Sequence, residues 1–263
     1  AKELAALKRY GIAGPGRELW ASVQPDTADR RYGRWDASVR GTSADGKDDY
    51  RNAPNTFGWV VEIDPFDPQS TPKKRTALGR FAHEGAGPGP VVPGRPLVWY
   101  MGCDARGEYI YKFVSAAVWD PADIGRGCAA GDKYLDDGRL YVARFDADGS
   151  GEWLALKLGA NGINALHPAY AFSDQADVLI HARLAADAAG ATRMDRPEWG
   201  AVNPRNGEVY MTLTYNPSRD LARLDAANPR FYTDPKAGKQ GRGNVNGHII
   251  RWAELDGRGD ATA

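Results

Sequence analysis

Short runs of β-branched and aromatic residues recur along the chain, and each stands beside a turn rich in Gly, Asn or Asp. This pattern limits the fold strongly, because such runs form strands and turns of this composition join neighbouring strands into antiparallel hairpins. The clearest segments are FGWVVEIDP (57–65), PLVWYMG (96–102), GEYIYKFVS (107–115), GRLYVARFDADGSGEWLAL (138–156), GEVYMTLTY (207–215) and GHIIRWAELDG (247–257). The sequence therefore predicts an all-β fold.

Successive antiparallel hairpins of this kind are typical of a β-propeller or a β-sandwich. No linker divides the sequence, so we expect one propeller domain over residues 1–263. Neither end reads as a closing strand, which predicts that this domain is an incomplete part of a propeller from a longer chain. We interpret the Gly- and Pro-rich stretch 85–96 as a rigid loop at the edge of a propeller blade.

A helix is predicted for only one part of the sequence, the stretch SDQADVLIHARLAADAAGA (173–191). Ser173 is a suitable N-cap, because its side-chain oxygen can accept a hydrogen bond from a free backbone amide of the first turn. Apolar residues follow at intervals of four, which gives the helix one apolar face. We therefore expect one inserted helix near 173–191 in an otherwise all-β chain.

The balance of charge limits the partners that the chain can attract. Its 263 residues contain 34 Lys and Arg and 34 Asp and Glu, so the formal net charge is zero. A neutral protein has no general attraction to nucleic acid or to an anionic membrane, and we expect no nucleic acid as a specific partner. The sequence has no run of about 18 apolar residues, so no membrane span is predicted. Any binding site for an anion must be local.

The sequence contains only two cysteines, Cys103 and Cys128. They belong to neither a CxxC motif nor a Cys/His pattern, which argues against a structural zinc site. Two free thiols are the simpler interpretation. A disulfide between them, in an oxidising compartment, stays open at this point.

Two glutamates have similar surroundings just before predicted strands. Glu84 lies in AHEGAGPGPVV (82–92) and Glu198 lies in RPEWGAV (196–202), and a Gly-Ala pair follows each of them closely. In a propeller the innermost strands line the central channel, so the residues at their starts converge at one mouth. Two carboxylates there would repel each other unless a cation lay between them. The pattern therefore predicts a metal site.

An arginine stands beside one of these glutamates. Arg196 precedes Glu198 by two residues, and the fixed φ of Pro197 between them would hold the guanidinium at the same rim. Carboxylates for a metal and an arginine for an anion are the groups that phosphate ester hydrolysis requires. The residue types alone also allow a purely structural Arg–Glu pair at the start of a strand.

Four stretches of the sequence resemble the PhoX family of alkaline phosphatases, namely 54–86, 108–115, 183–216 and 246–252. Within them, the runs GWVVEIDP, KRTALGRF, HEGA and DRPEW are far more specific than a short motif. The resemblance implies a β-propeller phosphomonoesterase that hydrolyses small phosphate monoesters in the propeller channel. It also implies iron and calcium as cofactors, and a location in the periplasm or outside the cell.

The resemblance further implies roles for particular residues. By the match of HEGA and RPEW, Glu84 and Glu198 correspond to metal-binding glutamates of the family, and Glu198 is also a catalytic candidate. Arg196 corresponds to the phosphate-contacting arginine and is likewise a catalytic candidate. Asp104 and Glu108 are further candidates for metal ligands, with a solvated loop as the alternative for both. The weaker candidates are Asp195, Asn216, Asn246 and His248.

The sequence also departs from the family. PhoX proteins have a metal-bridging cysteine and further polar ligands in a segment that would precede Ala1, and more strands that would follow 246–252. We therefore expect the isolated chain to hold only part of the active site. His83 is expected to pack against its neighbours rather than to bind a metal. His167 and His181 are given no role.

Two functions of other kinds stay open. One is a non-catalytic propeller binding module, since the propeller architecture hosts many functions. The other is a lactonase-like propeller hydrolase, although the joint occurrence of HEGA and DRPEW argues against it.

Overall fold

The computed structural model describes residues 2–23, 31–255, 257, 259 and 260 of the chain. The helices in these ranges are α1 (Lys2–Arg9), α2 (Cys128–Leu135), α3 (Gln175–Ile180) and α4 (Ala182–Ala189). The strands are β1 (Val61–Glu62), β2 (Lys73–Lys74), β3 (His83–Pro88), β4 (Pro96–Cys103), β5 (Arg106–Glu108), β6 (Ile110–Val118), β7 (Gly138–Phe145), β8 (Gly151–Ala155), β9 (Met194–Asp195), β10 (Pro197–Val202), β11 (Val209–Leu213), β12 (Pro235–Lys236), β13 (Lys239–Gln240) and β14 (His248–Trp252).

The largest sheet has five antiparallel strands in the order β3-β4-β6-β7-β8. Its middle strands are covered on both faces, and alternate side chains enter different apolar layers, as the two-residue period of a strand requires. Phe113 of β6 packs in one cluster with Ala182 and Ala185 of α4. Val114, the next residue, packs in another with Val209 of β11. The sheet therefore forms a middle layer between the helices and a second sheet.

The second sheet has three antiparallel strands in the order β10-β11-β14. Its β10–β11 hairpin confirms the strand–turn–strand prediction for this part of the sequence. β10 packs directly on β3 and β4, and glycines allow the close approach. A Cβ on Gly102 would lie 2.5 Å from the carbonyl oxygen of Glu198, and one on Gly85 would lie 2.9 Å from the ring of Trp199.

The helices correct the sequence prediction. The single helix expected near 173–191 is divided into α3 and α4, which meet at His181. The N-cap is Asp174 and not Ser173, because the Asp174 carboxylate accepts from the Asp177 amide at 2.7 Å while the Ser173 hydroxyl donates to the Asp177 carboxylate at 2.9 Å. The expectation of only one helix is wrong. α1 and α2 are each eight residues long, a length at which tertiary contacts decide whether a helix forms.

The remaining fold predictions have mixed outcomes. The structure is mostly sheet with few helices, and its described strands form no closed barrel, so the propeller itself stays a prediction. The stretch 85–96 is a loop only in part, because β3 continues to Pro88 and β4 begins at Pro96. Both cysteines are free, as the simpler interpretation held, and Cys103 is buried. In the described part of the chain, no helix combines the length and the apolar character that a membrane crossing needs.

Candidate phosphate-binding site

Two very short strands bring Asp104 and Arg196 together. β5 and β9 pair in an antiparallel ladder in which Arg106 lies opposite Asp195 and Glu108 lies opposite Met194. Asp104 comes two residues before the start of this ladder on one strand, and Arg196 comes one residue after it on the other. The antiparallel register therefore places the two side chains next to each other, although 91 residues lie between them in the sequence.

The guanidinium of Arg196 is held by two carboxylates. Its Nε and Nη2 donate to the two oxygens of Asp104 at 2.9 and 3.0 Å, which is the bidentate geometry that makes Arg–carboxylate pairs strong. Nη2 also lies 3.5 Å from Oε1 of Glu198. The three side chains are between 21% and 31% exposed, so the group lies at the surface of the protein and remains open to solvent.

The backbone of Arg196 is strained. Its φ is +47°, in the left-handed region that glycine normally occupies, and the residue stands between Asp195 and Pro197. The carbonyl oxygen of Arg196 accepts a hydrogen bond from the Thr214 amide at 3.3 Å. A non-glycine residue in this conformation costs about 1 kcal/mol, and such residues cluster at functional sites. The strained residue stands between two strands, since β9 ends at Asp195 and β10 begins at Pro197.

A buried polar network lies directly behind this arginine. Asp195 is completely buried and accepts hydrogen bonds from Asn216 at 2.6 Å, from Arg219 at 2.8 Å and from Asn244 at 3.0 Å. The amide nitrogen of Asn244 also lies 2.9 Å from Nδ1 of His248. Three of the weaker candidates, Asp195, Asn216 and His248, therefore belong to a framework that fixes the backbone just before the arginine.

Glu84 and Glu198 both lie in β-bulges. The register of β10 against β11 shifts between Pro197 and Gly200, and that of β3 against β4 shifts between His83 and Ala86. A bulge redirects a side chain and is common beside active sites. The residue after each glutamate lies in the packed contact between the two strands, where Gly85 approaches Trp199. The two glutamates therefore lie at the same end of β3 and β10.

The two glutamates differ in their surroundings. Oε1 of Glu198 accepts from the Thr214 hydroxyl at 2.5 Å, which orients the carboxylate beside Arg196. Glu84 is exposed, and its carboxylate forms no hydrogen bond or ion pair with any residue that the structure describes. Thr214 is a residue that the sequence analysis missed. The sequence gives no signal for it, because Thr214 reaches Glu198 diagonally across the two strands, next to the pair that Pro197 forms with Leu213 and at the bulge in β10.

Glu108 has different partners from the other candidates. It is buried, and its carboxylate contacts both terminal nitrogens of Arg9, with Nη2 at 3.2 Å. Nε of Arg183 lies 3.5 Å from the same group, and Sγ of Cys103 lies 4.0 Å away. Two arginines thus neutralise this glutamate, and no contact joins it to Arg196. The role of Glu108 as a metal ligand stays a prediction. The same holds for the weaker candidate Asn246, whose side-chain amide donates to the Asp234 carboxylate at 2.8 Å.

The histidine beside Glu84 is packed, as expected. Nε2 of His83 lies 2.9 Å from the carbonyl oxygen of Gly79, and its ring stacks on Phe81 with the centroids 3.7 Å apart. Burial lowers the pKa of His83 to about 4, so the ring is neutral at physiological pH.

Among the residues that the structure describes, no group of three or more His, Cys, Asp or Glu side chains could hold a metal ion.

The arrangement has a clear chemical capacity. It presents a fixed guanidinium at the protein surface with one oriented carboxylate, Glu198, beside it. A second carboxylate, that of Glu84, lies on the neighbouring strand β3. It forms no hydrogen bond or ion pair with the residues that the structure describes. An arginine of this kind can bind a tetrahedral oxyanion, and the carboxylates can share a cation that such an anion also contacts.

Comparisons with known proteins identify a family and a similar solved structure. The sequence profile of a family described as alkaline phosphatase PhoX matches residues 10–263. The solved structure titled "Pseudomonas fluorescens PhoX in complex with vanadate, a transition state analogue" matches the chain with a TM-score of 0.75 and 45% sequence identity. That match covers 96% of this chain and 39% of the other, so the chain spans about two fifths of the length of that protein. No curated protein matches the chain.

Proposed function

This chain belongs to the PhoX family of alkaline phosphatases, and on that premise we propose that it forms the phosphate-contacting part of a metal-dependent phosphomonoesterase. The substrates would be small phosphate monoesters. The relative from Pseudomonas fluorescens was solved with vanadate, described there as a transition-state analogue. Such an analogue binds tightly because an enzyme is complementary to its transition state.

The bidentate Asp104–Arg196 pair beside Glu198 is the observation that carries this proposal. A guanidinium already fixed in position can hold two oxygens of a phosphate without first losing the freedom of a mobile side chain. Its charge also stabilises the negative charge that develops on the phosphoryl oxygens as the ester bond breaks. In the proposed reaction Arg196 binds and orients the phosphate, and Thr214 holds Glu198 in place next to it.

The metals that we propose are iron and calcium, held in part by Glu84 and Glu198. The chemistry of these donors fits such a centre, because carboxylate oxygens suit both ions and Glu84 has no recorded partner among the described residues. Two glutamates are fewer than the roughly six to eight oxygen ligands of calcium, so they would form only part of the coordination shell. When bound, the metals would supply positive charge next to the reacting phosphate.

The proposal extends to architecture and location. We expect the two stacked sheets to be part of a β-propeller whose channel mouth carries Arg196 and both glutamates. We also expect the protein in the periplasm or outside the cell. Cell fractionation followed by detection of the protein in each fraction tests the second expectation directly, and recovery in the cytoplasmic fraction would contradict it.

The experiment that tests the activity uses the full-length, metal-loaded protein and p-nitrophenyl phosphate. Glu198→Gln keeps the size of the side chain and removes its charge. We expect this variant to lose bound iron or calcium and to lower kcat/KM at least about tenfold, because a metal ligand has been replaced. Elemental analysis and steady-state kinetics measure the two effects.

A matched control is available in the same hairpin. Glu208 lies at the far end of the β10–β11 turn, where it accepts from the Tyr210 hydroxyl at 2.9 Å. Glu208→Gln should keep both the metals and the activity. A wild-type protein that does not hydrolyse the ester would overturn the proposed function. So would a Glu198→Gln variant with stoichiometric metals and normal turnover.

A further inference from the structure

Asp104 occupies only one edge of the Arg196 guanidinium. A guanidinium has five N–H donors in a plane, one on Nε and two on each terminal nitrogen. Nε and Nη2 each donate to Asp104, and Nη2 also faces Glu198 at 3.5 Å. Nη1 donates to no acceptor among the residues that the structure describes, and the side chain of Arg196 is 31% exposed. The end of the guanidinium that carries Nη1 and Nη2 is therefore directed away from its anchor.

Asp104 is itself held firmly by the backbone around it. Its amide donates to the carbonyl oxygen of Ala82 at 2.9 Å, which ties it to the start of β3. Cys103, the residue before it, is completely buried and donates from its amide to the carbonyl oxygen of Tyr109 at 3.1 Å. Nη2 of Arg183 lies 3.2 Å from the sulfur of Cys103. The Asp104 carboxylate thus extends from a fixed point in the core.

We infer that Asp104 is a positioning residue for the phosphate-binding arginine. It fixes the Nε edge of Arg196, so that the end with Nη1 and Nη2 receives two oxygens of the phosphate. The inference rests on the proposed function, and it assigns Asp104 to the arginine rather than to a metal. Without Asp104, Arg196 would keep its charge but would have to lose the rotational freedom of a long side chain on binding.

The test is a double-mutant cycle in the full-length, metal-loaded protein. Asp104→Asn keeps the size of the side chain but places an amide group where one carboxylate oxygen accepted from the guanidinium. It is made alone, in the Arg196→Lys background, and beside a control, Asp146→Asn. Asp146 forms an exposed pair with Arg144 at 3.6 Å in the β7–β8 hairpin. The readouts are kcat/KM for p-nitrophenyl phosphate, inhibition by vanadate, metal content and melting temperature.

We expect Asp104→Asn to lower kcat/KM and to weaken vanadate inhibition in parallel, each by about 10- to 100-fold, because a charge-assisted bidentate anchor is lost. Metal content should be unchanged. In the Arg196→Lys background the same substitution should have little further effect, since a lysine offers no Nε edge to hold. Asp146→Asn should match the wild type throughout.

Three outcomes would overturn the inference. Asp104→Asn could lower kcat/KM by the same factor in both backgrounds, which would indicate a general structural role. It could leave kcat/KM and vanadate inhibition unchanged. It could also lose iron or calcium, which would make Asp104 a metal ligand. If the wild type shows no hydrolysis, the proposed function fails separately. Vanadate binding, measured by calorimetry, then tests the inference by itself. Equal affinity in the wild type and in Asp104→Asn contradicts the positioning role, and weaker binding by the variant supports it.

Discussion

At the scale of single residues, Arg196 combines a strained backbone with an anchored side chain. Its positive φ is maintained because the residues on both sides are fixed, Asp195 by a buried network and Pro197 by its ring. The side chain is in turn fixed by Asp104. A residue that is constrained at both ends can present its donors in one orientation, which is the property that binding a phosphate in a single pose requires.

The clearest residue-scale prediction concerns the shape of the guanidinium. Arg196→Lys keeps the positive charge but replaces two parallel donors with a single ammonium. In the full-length protein we expect unchanged metal content and a kcat/KM lowered by about 10²- to 10³-fold, or roughly 2–4 kcal/mol of transition-state stabilisation. If Arg196 is only a structural partner of Asp104 and Glu198, the melting temperature will fall while kcat/KM stays near that of the wild type.

A second residue-scale prediction concerns the backbone strain. Arg196→Ala and Arg196→Gly both remove the guanidinium, and they differ mainly in the cost of a left-handed conformation for a residue with a Cβ. We expect the free energy of unfolding of the glycine variant to be about 1 kcal/mol higher than that of the alanine variant, which means that the glycine variant is the more stable. Denaturant titrations of the two proteins measure the difference directly. Equal stabilities would mean that the backbone relaxes to a negative φ.

At the scale of secondary-structure elements, the site depends on how closely β10 approaches β3 and β4. Bulges in β3 and β10 redirect Glu84 and Glu198, and glycines on β3 and β4 let the backbones come close enough for the bulges to face each other. The short β5–β9 ladder adds the pairing that brings Asp104 to Arg196. Three separate strand contacts therefore converge on one group of side chains.

This packing predicts a graded effect of added methyl groups. A Cβ at Gly102 would lie 2.5 Å from the Glu198 carbonyl oxygen and 2.7 Å from that of Pro197, so the backbone of β10 must move. Gly102→Ala should lower the free energy of unfolding by about 2 kcal/mol or more and displace the start of β10. Gly87→Ala, whose Cβ would lie 3.3 Å from the Gly200 carbonyl oxygen, should cost clearly less. Equal costs, measured by thermal and denaturant unfolding, would contradict the close approach.

At the scale of the whole molecule, polar contacts fasten the first helix to the rest. Lys2 pairs with Asp177 at 2.6 Å, Arg9 pairs with Asp187 at 2.6 Å, and the Tyr10 hydroxyl donates to the carbonyl oxygen of Arg80 at 2.8 Å. His181, where α3 and α4 meet, lies among these groups with 8% of its surface exposed. Residues 2–10 therefore meet α3 and α4 in one largely buried polar region.

That region predicts acid sensitivity. Burial lowers the pKa of His181 from 6.5 to about 4; Asp177 opposes the shift, and Arg80 and Lys2 add to it. Between these two pH values the unfolded chain binds the proton and the folded chain does not, so stability is full above about pH 6.5 and falls as the pH drops toward 4. The loss is at most about 3 kcal/mol for this residue.

The measurement is the free energy of unfolding of the wild type and of His181→Gln from pH 7 to pH 4. The variant lacks the titrating ring, so its stability should fall less steeply across this range. Some slope should persist, because burial lowers the pKa of His83 to about 4 as well. Parallel curves for the two proteins would show that His181 is protonated equally in the folded and unfolded states.

The sequence by itself determined the features that depend on local pattern. The β10–β11 hairpin follows from alternating residues around an Asn/Gly turn, and the packed state of His83 agrees with the expectation that such a histidine packs rather than binds a metal. Residue types and the family resemblance also singled out Glu84, Arg196 and Glu198 as candidates, and their roles stay predictions. Their local geometry, including the bulges, could not be read from the sequence, because a bulge is defined only against the partner strand.

Only the tertiary structure decided the features that join distant parts of the chain. Asp104 and Glu108 are both acidic residues in one polar stretch, yet the fold pairs the first with Arg196 and the second with Arg9 and Arg183. α1 consists of good helix formers, KELAALKR, but eight residues are too few for a stable isolated helix, so its contacts with α3, α4 and β5 hold it in place. The physical reason is the same in each case: the free energy of an ion pair or a short helix depends on the groups that folding brings beside it.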